Sequence, residues 1–250
     1  SHYELTQFRF HYKQNTKAEK DAPTTILADR RTGGEKAFLD FTGDTMGYID
    51  RETGEYVKCQ SFVAAMPASD YGYLIFVPSQ RTEDFVYAVT QFLKSLGGVP
   101  RMLVPDNLKA AVIKTDKYEP SLNRVLEDMA NHYGTVIVPA RPVHPRDKSN
   151  AEGEVRLEYI RVFAELRNET FFSLDELNAA AALKMKAHNQ KRMQRLPYTR
   201  EERFLAIDKP NLLPLPEKDF EIISYTDLKV SPNCCIYLGR DRHYYSVPFQ

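Results

Sequence analysis

Three carboxylates are the residues of this sequence best suited to chemistry. Asp40 lies in the apolar run FLDFTGD, Asp106 follows an apolar run in LVPDN, and Glu152 precedes the long stretch GEVRLEYIRVFAEL. Carboxylate oxygens are the ligands that Mg²⁺ prefers, and Mg²⁺ keeps waters that a phosphate substrate can replace. Three such residues would suit two divalent cations that together promote an in-line displacement at phosphorus.

Each carboxylate also has an ordinary explanation. Pro-Asp-Asn at Asp106 is common turn chemistry, and Glu152 could simply complement the N-terminus of a helix. Asp40 is harder to explain, because Leu39 and Phe41 are predicted to pack on one side of a strand while Asp40 faces the other. If that carboxylate is buried, it needs a cation or hydrogen-bond donors, since an unpaired buried charge costs several kcal/mol.

Neighbouring acids compete for the same roles. Asp44 lies on the same face as Asp40, but it follows Gly43 and is predicted to lie in a turn. Asp147 and Glu154 compete with Glu152 for the third position. Spacing alone leaves that position open.

The amino-acid composition excludes several classes of protein. The chain has 250 residues, 42% of them hydrophobic, which suffices for a full-sized core and a small appendage. Its 34 Lys and Arg balance 34 Asp and Glu, so any basic surface must be local. Three cysteines form neither a disulfide framework nor a zinc motif, and no apolar run approaches the roughly 20 residues that span a bilayer. We expect a reduced, cytoplasmic, soluble protein.

The apolar periodicity predicts a mixed order of strands and helices. The sheet is expected to begin with strands at 37–44, 46–67 (a hairpin turning at Thr53–Gly54) and 71–78. A helix at 82–96, a strand at 102–104, a helix at 121–134 ended by Gly134 and a strand at 135–139 follow. A long helix after Glu152 and a helix at 173–192, capped by Ser173 and Glu176, complete the core. This order combines an antiparallel half with a parallel half.

The two ends of the chain differ from this core. Residues 3–13 predict a short helix that a linker joins to the first strand. The opening Ser-His without Met suggests that the natural chain begins earlier. After the Pro-rich run KPNLLPLPEKD, short strands predict an all-β module that is expected to be truncated. The domain limits are predicted at 1–35, 36–207 and 208–250.

Three long motifs together resemble a known family. FLDFTGDTMGYID, GGVPRMLVPDNLKAAV and ARPVHPRDKSNAEGEVR resemble the catalytic core of the DDE transposases of the retroviral-integrase superfamily, and most of all the IstA-type insertion-sequence transposases. The resemblance covers residues 36–170, and YYSVPFQ resembles the start of that family's C-terminal β-barrel. It implies an α/β fold: a ribonuclease-H-like mixed five-stranded sheet with flanking helices, plus the start of a small C-terminal β-barrel.

The resemblance also implies a site and an activity. It assigns Asp40, Asp106 and Glu152 as the catalytic and metal-binding residues, and it favours Glu152 over Glu154. The implied cofactor is a pair of Mg²⁺ ions, with Mn²⁺ as a substitute, and the implied reaction is 3′-end cleavage followed by strand transfer. DNA ends, target DNA, further copies of the chain and an ATP-dependent helper protein are the implied partners. The N-terminal helix-turn-helix region of the family is lacking here, and the helix at 3–13 is its expected remnant.

Basic residues near the three carboxylates are predicted to contact DNA phosphates. Another local excess of basic residues, at 184–203, could track the DNA backbone, although a solvated helix face is the ordinary alternative. The candidates for phosphate contacts are Lys109, Arg146, Lys148, Arg156, Lys191 and Arg192.

Two other functions compete with a transposase. A ribonuclease H or related nuclease would share the fold, but the additional β-module argues against it. A catalytically inactive DNA-binding or assembly protein derived from a mobile element is the second alternative. The presence of all three acidic residues argues against that alternative.

Overall fold

A computed structural model describes most of the chain. The described residues are 32–105, 112–114, 121–122, 124–138, 162–193, 196–223 and 228–248. The side chain of Asp44 and those of residues 112–114 and 121–122 lie outside this description, as does the predicted helix at 3–13. In the segments that are described, no helix is long and apolar enough to cross a membrane.

The elements follow one another in a mixed order. Strands β1 (Lys36–Ile49), β2 (Tyr56–Met66) and β3 (Tyr71–Val77) are followed by helix α1 (Thr82–Leu96) and strand β4 (Met102–Pro105). Short strands β5 (Val112–Lys114) and β6 (Ser121–Leu122) precede helix α2 (Arg124–Tyr133) and strand β7 (Val136–Ile137). Helices α3 (Leu174–Gln190) and α4 (Arg200–Arg203), a π-helical turn (Phe204–Asp208) and a 3₁₀ turn (Lys209–Asn211) lead to strands β8 (Cys235–Leu238) and β9 (His243–Ser246).

The central sheet has five strands in the order β3-β2-β1-β4-β7. Strands β1, β2 and β3 are antiparallel, whereas β4 pairs with β1, and β7 with β4, in parallel. Helices α1 and α2 occupy the two crossover connections, as parallel neighbours require. The predicted combination of an antiparallel and a parallel half is confirmed, while the small β5–β6 sheet was not predicted.

The first strand is longer than the sequence predicts. Residues 37–44 and the first arm of the predicted hairpin form one strand, β1. Gly43 and Asp44 are left out of the β1–β2 register between Thr42 and Thr45, so they form an irregularity within the strand. The predicted turn at Asp44 is therefore wrong: a bulge absorbs the extra residues without ending the pairing.

Alternate residues of the sheet point into two apolar cores. In the first core, on one face, Leu39 and Phe62 are buried against α1 and α2. In the second core, on the other face, Met46 and Phe76 are buried against α3 and residues 162–171. Helices thus flank both faces of the sheet.

Helix α1 forms at its predicted position, and a glycine ends it. The predicted apolar face, including Phe85, Phe92 and Leu96, is buried. Gly97 adopts a φ of 62°, and its N–H donates to the carbonyl of Lys94 at 3.0 Å. This left-handed conformation suits glycine because it has no Cβ atom.

Helix α3 covers the free edge of strand β3. The amide of Asn189 accepts a hydrogen bond from Gly72 N at 3.1 Å and donates to Gly72 O at 2.8 Å. Asn178 makes the same pair of bonds with Phe76, at 2.7 and 3.0 Å. These two side chains take the place of a neighbouring strand and satisfy an edge that would otherwise be open to other chains.

Residues 204–220, which include the Pro-rich run predicted as a linker, pack against the core. The buried carboxylate of Asp208 accepts a hydrogen bond from Gly34 N at 2.7 Å, just before β1 begins. Leu213 exchanges backbone hydrogen bonds with Val99, and Asp219 forms an ion pair with Lys94 at 2.6 Å. The first compact unit accordingly ends at Phe220.

The second compact unit begins at Glu221, and its described residues contain one hairpin, β8–β9. Tyr237 pairs with Tyr244 across this hairpin, with ring centroids 4.8 Å apart. Residues 220–223 of the predicted strand FEIISY form no strand. The predicted start of a β-barrel is therefore observed only as a two-stranded sheet, within the residues that can be described.

Candidate active site

Asp40 lies on β1 between two residues that pack into the core. Leu39 is 1% exposed and Phe41 packs against the same cluster, so the predicted alternation is confirmed. The side chain of Asp40 is exposed, however, so its charge is not buried and no burial cost has to be offset. The apolar sequence around Asp40 reflects the core beneath β1 and not the environment of the carboxylate.

The described parallel register of β1 and β4 ends one residue before two of the predicted metal ligands. The register runs from the pair Lys36–Met102 to the pair Leu39–Pro105. Asp40 is the next residue of β1, and the next residue after Pro105 is Asp106, which lies outside the described residues. Paired strands are about 4.8 Å apart, so Pro105, the last residue of β4, lies beside Leu39, the residue that precedes Asp40.

The described residues that come after the third predicted ligand in the chain pack on one face of the sheet. Glu152 and its competitors Asp147 and Glu154 lie outside the described residues. Further along, residues 162–166 are helical, and they pack in the second core with Val63. Val63 is the cross-strand partner of Asp40, and opposite residues share a face. The helical residues 162–166 therefore pack on the face that carries Asp40.

Two of the six basic residues that are predicted to contact DNA lie among the described residues. Lys109, Arg146, Lys148 and Arg156 lie outside the described residues, whereas Lys191 and Arg192 are exposed where α3 ends. Whether any of the six contacts DNA stays a prediction.

The basic run at 184–203 presents fewer free charges than its composition suggests. Arg200 is only 8% exposed. The ammonium of Lys184 lies 3.4 Å from Glu165 and 3.6 Å from Glu169. Lys191 and Arg192 are accordingly stronger candidates than Lys184 and Arg200.

The described side chains form no second metal-binding cluster and no activated thiol. They contain no group of three His, Cys, Asp or Glu residues that could hold a metal ion, and two of the three predicted ligands are not among them. Burial raises the pKa of the Cys59 thiol, which disfavours the nucleophilic thiolate. Asp40 is thus the described residue that fits the predicted chemistry, as an oxygen donor suited to a hard cation.

A cleft that the sequence did not predict continues along β1 beyond Asp40. It has a volume of about 440 Å³ and is lined by the second half of β1, Tyr56 and residues 163–171. The spacing of Phe163 and Leu166 indicates a buried helix face. That spacing does not predict a cavity, because the presence of a cavity depends on the distance between the helix and the strand.

The chain is 37% identical over 246 residues to two relatives. They are the putative transposases for insertion sequence IS1162 of Pseudomonas fluorescens and for insertion sequence IS408 of Burkholderia multivorans. These matches cover 98% of this chain. The chain is homologous to insertion-sequence transposases. It spans 43% and 46% of the length of these two relatives, and no protein-family model matches it.

The transposase for insertion sequence element IS21 of Pseudomonas aeruginosa is a more distant relative. It is 28% identical over 197 residues, which cover 78% of this chain and 49% of the relative. The similarity to transposases therefore extends across insertion sequences of several bacteria.

A solved structure shares the fold. One chain of the simian T-cell lymphotropic virus intasome, determined in complex with the PP2A regulatory subunit B56 gamma, matches with a TM-score of 0.53. The match covers 78% of this chain and 62% of that chain at 13% sequence identity, so the likeness concerns the fold alone. It agrees with the ribonuclease-H-like arrangement, which is confirmed as a mixed sheet flanked by helices.

Proposed function

We propose that this chain is the catalytic core of an IstA-type DDE transposase, which cuts DNA at the ends of a mobile element and joins the 3′-ends to target DNA. The observation that carries the proposal is the β1–β4 register, which ends one residue before Asp40 and Asp106. Homology with insertion-sequence transposases supports the class of reaction.

Asp40, Asp106 and Glu152 are the proposed ligands of two Mg²⁺ ions. When bound, such a pair of ions stabilises charge on the attacking and leaving oxygens of a phosphate displacement. Asp40 fits this role because its carboxylate is exposed while its backbone is held near β2 on one side and β4 on the other. A ligand held in this way needs little reorganisation when it binds a cation.

The proposed partners follow from the proposed reaction. Element ends and target DNA are the substrates, with Lys109, Arg146, Lys148, Arg156, Lys191 and Arg192 as phosphate contacts. Further copies of the chain would pair two element ends, and an ATP-dependent helper protein would assist the joining step.

A DNA end assay tests the proposal. The full chain is incubated with labelled duplexes that carry the ends of its element and with a supercoiled target, in Mg²⁺, Mn²⁺ or EDTA. We expect cleavage and covalently joined products with either metal and none in EDTA. Cleavage of an RNA–DNA hybrid without any joining would indicate a nuclease, and DNA binding without cleavage would indicate an inactive assembly protein.

A further inference from the structure

The cleft beside β1 has no role in the proposed metal site. It begins at Gly43, three residues after Asp40 on the same strand. Because a strand rises about 3.3 Å per residue, Gly43 lies about 10 Å from Asp40. The cleft is therefore close enough for a DNA strand to reach it from the proposed site.

Strand β1 presents polar backbone groups to this cleft. Its pairing with β4 ends at Leu39, so β2 is its one strand partner beyond that residue in the described part of the chain. Ile49 N donates to Phe171 O at 2.8 Å, which shows that the polar groups of Ile49 point away from β2. Because this direction alternates along an antiparallel strand, we expect the N–H and C=O groups of Thr45 and Gly47, which line the cleft, to point away from β2 as well.

The walls of the cleft are apolar and partly aromatic. Phe163, Leu166 and Phe171 form a floor that belongs to the second core. The ring of Tyr56 lies over Gly47, since a Cβ atom at that glycine would come within 2.8 Å of Tyr56 Cζ. Tyr56 is 62% exposed, so its ring stands at the mouth of the cleft.

The rim of the cleft carries one cation, Arg167, and one carboxylate, Glu169. The guanidinium of Arg167 lies 5.8 Å from the centre of the Phe163 ring, and it forms no ion pair with any side chain that the structure describes. The carboxylate of Glu169, also on the rim, lies 3.6 Å from the ammonium of Lys184, which it shares with Glu165 at 3.4 Å. Arg167 is thus placed to bind an anionic group at the entrance.

We propose that the cleft binds one unstacked nucleotide of the DNA substrate. A nucleobase combines flat apolar faces with a polar edge, which matches the aromatic walls and the backbone groups of Thr45 and Gly47. Its phosphate would meet Arg167 in a charge-assisted hydrogen bond. The volume of about 440 Å³ is in the range of small-ligand sites. The proposal rests on the proposed function, because that function supplies the DNA.

The distance from Asp40 predicts which nucleotide enters. A separation of about 10 Å corresponds to about three stacked base steps of 3.4 Å, and to fewer steps where the strand is unstacked and extended. A nucleotide within about three positions of the scissile phosphate is therefore the expected occupant. Nucleotides far from the scissile phosphate should not reach the cleft.

Photo-crosslinking tests this assignment directly. 5-Iododeoxyuridine is placed at each of six positions around the scissile phosphate of an element-end duplex, which is bound to the full chain carrying Asp40→Asn to prevent cutting. We expect one position to crosslink strongly to the peptide that contains Tyr56 or to the one that contains Phe163. Crosslinks confined to peptides outside the cleft would overturn the proposal.

A matched pair of arginine variants tests the role of the rim. Arg167→Ala should weaken binding of the element end about tenfold, the effect of losing one charge-assisted hydrogen bond, and Arg167→Lys should restore most of it. Arg51→Ala is the control, because Arg51 is also exposed and also lies over a phenylalanine ring, that of Phe172 at 5.2 Å, but does not line the cleft. Thermal melting shows whether each variant is folded.

The outcomes separate this inference from the proposed function. If the wild-type chain cuts and joins DNA but the Arg167→Ala and Arg51→Ala variants bind DNA equally well, the cleft assignment alone is overturned. A loss of self-association with unchanged DNA binding would identify the cleft as a protein interface and would also overturn it. A wild-type chain that neither cuts nor joins element ends would contradict both proposals.

Discussion

Asp40 shows how one residue can be exposed and still be rigidly placed. Its backbone lies in the middle of β1, next to the last residue paired with β4, while its side chain is exposed. Substituting this side chain changes charge at the site without disturbing a packed core. Effects on chemistry and on stability should therefore separate cleanly at this position.

We predict that Asp40→Asn lowers cleavage and joining at least about a thousandfold, because a lost metal ligand removes several kcal/mol of transition-state stabilisation. Stability should change by less than about 0.5 kcal/mol, as for other exposed substitutions. Gel assays of both steps and a urea titration measure the two effects. Asp50→Asn, just beyond the other end of the same strand, should keep its activity. Strong cleavage by the Asp40→Asn chain would refute the assignment.

Asp50 itself predicts a pH dependence of stability. Hydrogen bonds from the backbone N–H groups of Thr53 and Glu52 hold the pKa of the Asp50 carboxyl below its ordinary value. A lowered pKa in the folded state means that the ionised carboxylate stabilises the fold above its unfolded-state pKa. That contribution is lost as the pH falls through the folded-state pKa.

The melting temperatures of the wild type and of Asp50→Asn should therefore differ most near neutral pH. Asn keeps the acceptor oxygen, so the comparison isolates the charge. The difference should shrink below about pH 4, where the carboxyl becomes protonated. A difference that is as large at pH 3 as at pH 7 would show that the charge is not its cause.

Among the elements, helix α3 has a role in closing a sheet edge that its sequence pattern does not predict. It supplies apolar side chains to the second core, and it also closes the edge of β3 with Asn178 and Asn189. Each amide pairs with both the N–H and the C=O of one residue, as a neighbouring strand would. The hydrogen bonds to the neighbouring sheet thus explain why α3 contains these two asparagines.

Asn189→Ala should lower the free energy of unfolding by about 1–3 kcal/mol, because it leaves the buried N–H and C=O of Gly72 without partners. Asn178→Ala should act in the same direction but less strongly, since its bonds are only partly buried. Gln190→Ala, exposed on the same helix, is the control and should change stability by less than about 0.5 kcal/mol. Urea unfolding measures all three, and equal effects would argue against the edge-closing role.

At the scale of the whole molecule, residues 204–220 decide where the first compact unit ends. Leu212, Leu213, Leu215 and Phe220 pack against the first core, and Phe204 stacks on Tyr71 at 4.5 Å. The segment looks like a linker in composition, yet it completes the core. The packing of this segment does not test the domain limits that were predicted from composition, so those limits stay a prediction.

Two truncations test this role. A chain that ends at Phe220 should melt like the full chain, because it keeps the first unit whole. A chain that ends at Arg203 should fail to melt cooperatively, since each lost apolar side chain contributes about 1.5–3 kcal/mol when fully buried and a domain is stable by only about 5–15 kcal/mol. Circular dichroism melts and limited proteolysis distinguish the two. Equal melting of both truncated chains would contradict the role of the segment.

The amino-acid sequence by itself determined the local elements and the candidate ligands. Helix α1 and its end at Gly97, helix α3 with Ser173 accepting from Glu176 N, and the turn at Thr53–Gly54 all formed as predicted. Their signals are periodicity, caps and glycines, which act within a few residues. Asp40 stood out for the same reason, as a charge in a locally apolar strand.

Only the tertiary structure decided which strands are neighbours and where edges remain. The Leu39–Pro105 register, the bulge at Gly43, the amide closure of β3 and the cleft beside Arg167 each join residues that are distant in the chain. Such contacts depend on twist, register and packing distance, which a local pattern does not encode. The chemistry that a residue can perform is therefore predictable from the sequence, whereas the distances between residues are set by the fold.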